Sequence, residues 1–377
     1  MEQPFVFGVP VEDTYFIGRE KESARLASNF KYGVNTVLMS PRRWGKTSLV
    51  KRVARSVEAE GGNRIIVQMD IFACRSEYDF YNTFSSAILK QTASKVEEWL
   101  VLAKGFIERL VPKLSASPEP GTEYSVSLGI TPKTHSPEEV LSLPEVIAQR
   151  KKCELVICID EFQQVGEFPN SLEVQKRLRG VWQHQKHVSY CLYGSKLHMM
   201  TKLFLRKSYP FYKFGEVLDL EPIPLQTWTP YIQGRFNSFG KQISDVFVER
   251  ICETVDYQAS YVQQLSYSVL LLSGNEVTEE SFSRAVDDLL AQNSNAFIEQ
   301  TQSLTTYQLN FLRAIMDGVS SGFGEASVRD WYNLGSASNI TRLKQSMIDK
   351  ELVELTPKGI ILGDPVLKSW LKRVFTI

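Results

Sequence analysis

The run Asn35 to Leu49, NTVLMSPRRWGKTSL, constrains this chain more than any other segment. Asn35-Thr36-Val37-Leu38-Met39 reads as a short apolar strand, a loop follows at once, and Thr47 to about Ala59 has helical periodicity. The loop Ser40-Pro41-Arg42-Arg43-Trp44-Gly45-Lys46-Thr47 keeps the spacing G-x-x-x-x-G-K-[ST], with Ser in place of the first Gly. A strand before it and a helix after it are the context that a phosphate-binding loop requires. There, backbone N–H groups of the loop and of the helix start through Ser48 surround a β-phosphate. Lys46 reaches the β- and γ-phosphates, and the Thr47 hydroxyl sits on Mg²⁺. Gly45 permits the close approach. This spacing arises by accident in on the order of a few per cent of chains this long, so a second motif is needed beside it.

Glu154 to Ile159, ELVICI, supplies that motif, as the strongest strand in the sequence, and it ends in Asp160-Glu161. At the carboxyl end of a parallel strand, Asp160 would hold the metal through water and Glu161 would polarise the water that attacks the γ-phosphate. The plain alternative is an acidic turn after a core strand, which the nearby loop motif weighs against. Gly194-Ser195 ends the following strand, where a hydroxyl is placed to meet the γ-phosphate or the attacking water; a Gly-Ser turn at a strand end is equally ordinary. Arg42 and Arg43 read either as contacts to phosphate or a neighbouring subunit, or as a solvated pair. Trp44 either covers the nucleotide or packs on the sheet.

Strands at Arg64 to Asp70, Glu154 to Ile159, Val188 to Tyr193 and Val217 to Leu220 alternate with helical patterns, which argues for a parallel α/β sheet. Tyr78 to about Leu110 is helical in pattern. Ser115 to Ser136, rich in Ser, Pro, Gly and Thr, reads as a surface insertion with a short hairpin near Tyr124 to Ile130. After Pro222 only helices are expected, at 225–239, 245–255, 261–272 and 279–300. Helices at 306–316, 328–332 and 338–350 then precede two short strands, the pattern of a winged helix. The expected division is a nucleotide-binding core over 1–222 with its insertion near 111–137, a helical lid over 223–303, and a winged-helix domain over 304–377.

At 377 residues, 43% apolar and 23% charged, the composition is that of a globular chain of two or three domains. The formal net charge is zero, so any attraction to nucleic acid or membrane must come from a local patch. The five cysteines are scattered and embedded in apolar runs, as reduced core thiols are, and form no zinc pattern with the four histidines. No basic leader with an apolar stretch opens the sequence and no window is long enough to span a membrane, so a cytoplasmic location is expected.

Taken together, F-x-G-R-E at Phe16 to Glu20, P-R-R-x-G-K-T-S-L at Pro41 to Leu49, I-D-E-F at Ile159 to Phe162, Gly194-Ser195, and G-D-P-V-L-K-S-W-L at Gly363 to Leu371 resemble the archaeal-type ATPase family, a branch of the AAA+ and STAND P-loop NTPases. The resemblance covers most of the chain. It implies a sheet in the order 5-1-4-3-2, a helical lid, a C-terminal winged helix, adenine contacts near Gly18 and Arg19, and a sensor-1 role for Ser195. Two departures stand out. Pro210-Phe211-Tyr212-Lys213-Phe214-Gly215 lacks the arginine of the L-Y-G-R-like segment, and the lid carries Gln258-Ala259-Ser260-Tyr261 instead of G-x-P.

The resulting expectation is an ATP- and Mg²⁺-dependent ATPase working as a nucleotide-controlled switch. Its turnover is slow without an unidentified protein partner, and ATP binding can bring copies together. One alternative is a DNA-binding winged helix regulated by ATP, with Arg342, Lys344 and Lys350 on the recognition helix, although residues 306–377 carry a net charge of only roughly +2. A nucleotide-bound scaffold without turnover is the other, which Glu161 argues against.

Overall fold

The computed structural model describes residues 3–11, 14–93, 113–114, 126–127, 136–356 and 359–375. The chain separates into two compact units. One comprises Arg19–Arg42 and Lys46–Leu220; the other comprises Met1–Gly18, Arg43–Gly45 and Glu221–Ile377.

The first unit is built on five parallel strands, β1 (Thr36–Met39), β2 (Arg64–Asp70), β3 (Glu154–Asp160), β4 (Val188–Gly194) and β5 (Glu216–Asp219). Their order is β2-β3-β4-β1-β5, the order that the family resemblance implied, read from the other edge. Every residue of β1 and β4 is buried, as strands covered on both faces require, whereas β5 at the edge is half open. Helix α1 (Glu20–Tyr32) precedes β1, and the strands are connected through α2 (Lys46–Ala59), α3 (Glu77–Thr92), α4 (Pro137–Lys151), α5 (Ser171–Trp182) and α6 (Leu197–Leu205). Helix α1 packs on α2, while α3, α4 and α5 pack against one another. Alternate strand residues, among them Leu155, Ile157 and Ile159, point into the core shared with α3, α4 and α5.

Local chemistry sets several boundaries. Ser136 and Glu139 form a reciprocal capping box at the start of α4, with N–H to oxygen distances of 3.2 and 3.0 Å, and Pro137 takes the first helical position where its missing N–H costs nothing. Helix α3 ends at Thr92, and the rest of the helical pattern expected to Leu110 lies outside the described residues. The insertion expected from Ser115 to Ser136 also lies almost wholly outside them. Lys113–Leu114 and Val126–Ser127 are described, paired antiparallel.

Beneath β3 and β4 lies an aromatic layer. Trp182 stacks on Tyr190 with ring centroids 4.1 Å apart, and Phe162, Phe204, Phe211 and Phe214 surround them. Phe211 and Phe214 come from the segment where an arginine was wanting. The segment is a core plug, and it ends at Gly215, where an added Cβ would lie 2.3 Å from the Asn35 carbonyl oxygen.

The second unit holds α7 (Leu225–Ser238), α8 (Asp245–Thr254), α9 (Ala259–Leu272) and α10 (Glu279–Gln302). Its C-terminal part is α11 (Thr306–Met316), α12 (Ala326–Trp331), α13 (Ala337–Asp349), the antiparallel hairpin β6 (Val353–Thr356) with β7 (Gly359–Leu362), and α14 (Pro365–Val374). One apolar core runs through all of these, from Trp228 to Leu371. Helix α14 lies on α10, where Trp370 Nε1 donates to Ser294 Oγ at 3.0 Å and its ring meets Phe297 at 5.8 Å. Among the described residues no helix is long and apolar enough to cross a membrane.

Trp182 is 2% exposed and central to the aromatic layer. Trp182→Ala is expected to cost about 3–5 kcal/mol, measured by urea unfolding. A loss under about 1 kcal/mol would show that the layer is not a keystone of this core.

Candidate functional site

Strand register brings the candidate residues to one edge of the sheet. Met39, the last residue of β1, lies beside Gly194 of β4 and Asp219 of β5, and Ile159 of β3 lies beside Leu192 of β4. Ser40 with the loop continues from β1, Asp160 ends β3 and leads into Glu161, and Ser195 continues from β4. All leave at the carboxyl edge, where parallel α/β sheets carry their ligand sites.

In the loop, Gly45 has φ 90°, a left-handed backbone angle that favours glycine, and no atom lies within 4 Å of where its Cβ would be. The need for glycine there is therefore conformational. Lys46 opens α2 and is only 7% exposed. Its ammonium folds back over the loop, donating to the carbonyl oxygens of Ser40 at 2.8 Å and Pro41 at 2.7 Å and to Ser40 Oγ at 3.3 Å. Ser40, where glycine is usual, is buried and so takes part in holding this cation.

Thr47 meets Asp160 directly, its hydroxyl donating to Oδ2 at 2.7 Å, while Asp160 Oδ1 accepts the Glu161 N–H at 2.8 Å. Burial pushes the Asp160 carboxyl up to about 6, against the lowering effect of those two hydrogen bonds. A hydroxyl and a costly buried carboxylate side by side are hard oxygen donors of the type that suits Mg²⁺, whose charge would offset the desolvation. The residues present fit that ion.

Glu161 turns the chain. Its backbone is left-handed, φ 55° and ψ 36°, and it leads into a 3₁₀ helix, Phe162–Glu167, whose Phe162 is fully buried in the aromatic layer. The carboxylate Oε2 accepts from Ser195 Oγ at 2.9 Å, from the Ser195 N–H at 3.5 Å, and from the side-chain amide of Gln163. Acid and serine, assigned to one chemical step from sequence, are thus in contact. Gln163 was missed. A polar residue in a short turn carries no periodicity, and only its place two residues after the acid pointed to it.

The other candidates are distributed unevenly. Arg42 is exposed, with Nε 3.4 Å from Ser195 Oγ. Arg43, also left-handed at φ 67°, belongs to the second unit, where it pairs with Asp364 at 2.6 Å, donates to the Tyr261 hydroxyl and lies 4.3 Å over the Tyr261 ring. Two sequence features noted separately, the lid segment bearing Tyr261 and the terminal Gly363 to Leu371 run, therefore share one arginine. Trp44 is half-buried, and Ser48 is buried inside α2. Gly18 has φ 62°, and an added Cβ would come 3.2 Å from Ile223 Cγ2. Arg19 is buried and pairs with Glu22 at 2.9 Å. On the candidate recognition helix Arg342 is exposed, whereas Lys344 Nζ lies 5.6 Å over the Phe323 ring.

Residues 295–373 match the family described as "Probable winged helix domain". A search of curated proteins by sequence finds no match. Among solved structures, the chain is similar to a Walker-type ATPase of Pyrococcus abyssi, with a TM-score of 0.67, 16% identity, and coverage of 98% of this chain and 100% of that one. It is also similar to the ORC2 protein of Aeropyrum pernix in its ADP form (TM-score 0.55, 15% identity, 97% and 98% covered) and to the ORC1 protein of the same organism in complex with DNA (0.50, 14%, 96% and 94%). The fold is that of the Walker-type and ORC-like AAA+ ATPases with a C-terminal winged helix.

The raised Asp160 carboxyl fixes the sign of a pH effect in metal-free protein. With a folded value near 6 against 3.8 for the free side chain, the folded state binds the extra proton between about pH 4 and 6. Stability therefore falls as pH rises through that window. Asp160→Asn is expected to raise stability at pH 7 by about 3 kcal/mol in a chelating buffer, with the gain vanishing near pH 4. Equal stability of the two proteins at both pH values would refute the burial argument.

Proposed function

We propose that this chain binds ATP with Mg²⁺ and hydrolyses it, and that the bound nucleotide sets a conformational switch. The observation that carries the reading is the contact of Thr47 with Asp160 at 2.7 Å beside a Glu161 held by Ser195, all at one sheet edge with a buried Lys46. The likeness to AAA+ ATPases supports it at the level of fold.

In this reading the loop from Ser40 to Ser48 grips the phosphates, and Lys46 exchanges its carbonyl acceptors for phosphate oxygens. Mg²⁺, held by Thr47 and Asp160, would neutralise charge on the β- and γ-phosphates. Glu161 takes a proton from water as the water oxygen bonds to the γ-phosphorus and the bond to the β-phosphate oxygen breaks, releasing ADP and phosphate. Ser195 orients the base, and Arg42 lies near enough to Ser195 to sense the phosphate. Gly18 and Arg19 are assigned to the adenine side. The switch is read out by an unidentified protein partner, without which turnover is slow, and ATP binding favours assembly of copies.

A second reading, DNA binding, is favoured by the winged-helix match and by the likeness to an ORC1 structure that contains DNA. The low net charge of the domain and the placement of Lys344 over Phe323 make the phosphate grip weak. DNA binding that disappears when Arg342 and Lys344 are reversed to Glu would establish it; no mobility shift at low salt would dismiss it.

Lys46→Ala is expected to weaken ATP binding at least tenfold by calorimetry, and Glu161→Gln to keep binding while lowering phosphate release on the order of 100-fold or more. Undiminished release by Glu161→Gln would sink the assignment of the base. Absence of ATP binding by the unaltered protein would sink the whole reading.

A further inference from the structure

We propose that Gln163 is the positioning residue of Glu161, and that Gly194 is a glycine in order to admit it. The proposal deepens the reading of Glu161 as the base and rests on it.

Gln163 is 1% exposed, an expensive place for an amide. Its Nε2 donates to Glu161 Oε2, while its Oε1 has no hydrogen-bond partner among the described residues. A residue present only to fill space there would be Leu or Met, since a buried polar atom left unpaired loses its hydration with nothing in return. The amide is retained with one half unsatisfied, and the satisfied half is spent on the carboxylate.

Gly194 gives the second, independent observation. Its backbone is not left-handed, so any residue type would be accepted there on conformational grounds. A Cβ, however, would lie 1.8 Å from Gln163 Oε1 and 3.0 Å from its Cδ, with Met200 Sδ also near at 3.4 Å. The glycine therefore serves the passage of one side chain. Phe162, locked in the aromatic layer, fixes the turn from which Gln163 projects.

The consequence for Glu161 is that its two oxygens differ. Oε2 is held by Gln163 and Ser195, while Oε1 has no donor among the described residues and is the oxygen assigned here as the proton acceptor. Holding one oxygen removes the rotamer freedom that a long carboxylate otherwise keeps, which places the other.

The test compares Gln163→Met, Gly194→Ala, Glu161→Gln and the double variant Gln163→Met/Glu161→Gln, reading kcat and KM for phosphate release, ATP affinity by calorimetry, and Tm. Gln163→Met keeps the volume and removes the donor; kcat is expected to fall on the order of tenfold with KM and ATP affinity within about twofold. Gly194→Ala, which leaves Gln163 in the sequence but displaces it, should show the same split. Added to Glu161→Gln, Gln163→Met should lower the residual rate no further, because the two act through one group. Wild-type kcat in both Gln163→Met and Gly194→Ala, or the same fold loss from Gln163→Met with and without Glu161, overturns the proposal. If Glu161→Gln is inactive while Gln163→Met is unaffected, the positioning role alone falls. If Glu161→Gln turns over normally, the base assignment falls and the positioning role with it.

Discussion

Strand β4 is hydrogen-bonded to β1 on one side and to β3 on the other, and all seven of its residues are buried. The loop that follows β1 and the acids that follow β3 are some 110 residues apart in sequence, and this shared neighbour brings them to one edge of the sheet. Because strand side chains alternate, a slip of one residue in either ladder would turn every core residue of the slipped strand to the opposite face. The burial of both faces therefore enforces the register, and the register aligns Ser40, Asp160 and Ser195. The contact of Thr47 with Asp160 is a product of that alignment.

The site is also coupled to the packing beneath it. Phe162 follows the acids immediately and enters the layer formed by Trp182, Phe204 and Phe211. Filling that layer fixes the 3₁₀ turn, and the turn fixes which way Gln163 points. The segment Pro210 to Gly215, which lacks the arginine that the family pattern offers, contributes Phe211 and Phe214 to the same layer. In this chain the segment serves to fill that layer.

Much of the fold was legible in the sequence because β3 carries a continuous apolar run ending in acids, and because the loop spacing is rigid. The order of the strands came from the family resemblance, since nothing in the periodicity specifies which strands are neighbours. Helix α6, LHMMTKLFL, was not foreseen because it spans only nine residues, too few turns for its buried Met200, Leu203 and Phe204 to establish a period in the sequence. The 3₁₀ helix at Phe162–Glu167 has no 3.6-residue period to detect. Within the site, Lys46 and Thr47 could be read from spacing and Asp160 and Glu161 from their place after an apolar strand, while Ser195 rested on the family resemblance; Gln163 and the pairing of Arg43 with Asp364 depend on tertiary approach alone. The sequence placed Lys344 on the candidate recognition helix but could not show that its ammonium lies 5.6 Å over the Phe323 ring.

Glu161 sits at φ 55°, where a side chain costs on the order of 1 kcal/mol and where glycine or asparagine would rest more easily. Selection for stability alone would therefore drift away from glutamate at this position, and selection for turnover would hold it there. A lineage released from the need to hydrolyse nucleotide would gain stability at its first replacement, with the phosphate grip left intact. The left-handed turn therefore sets a small cost in stability against the role as base proposed here for Glu161.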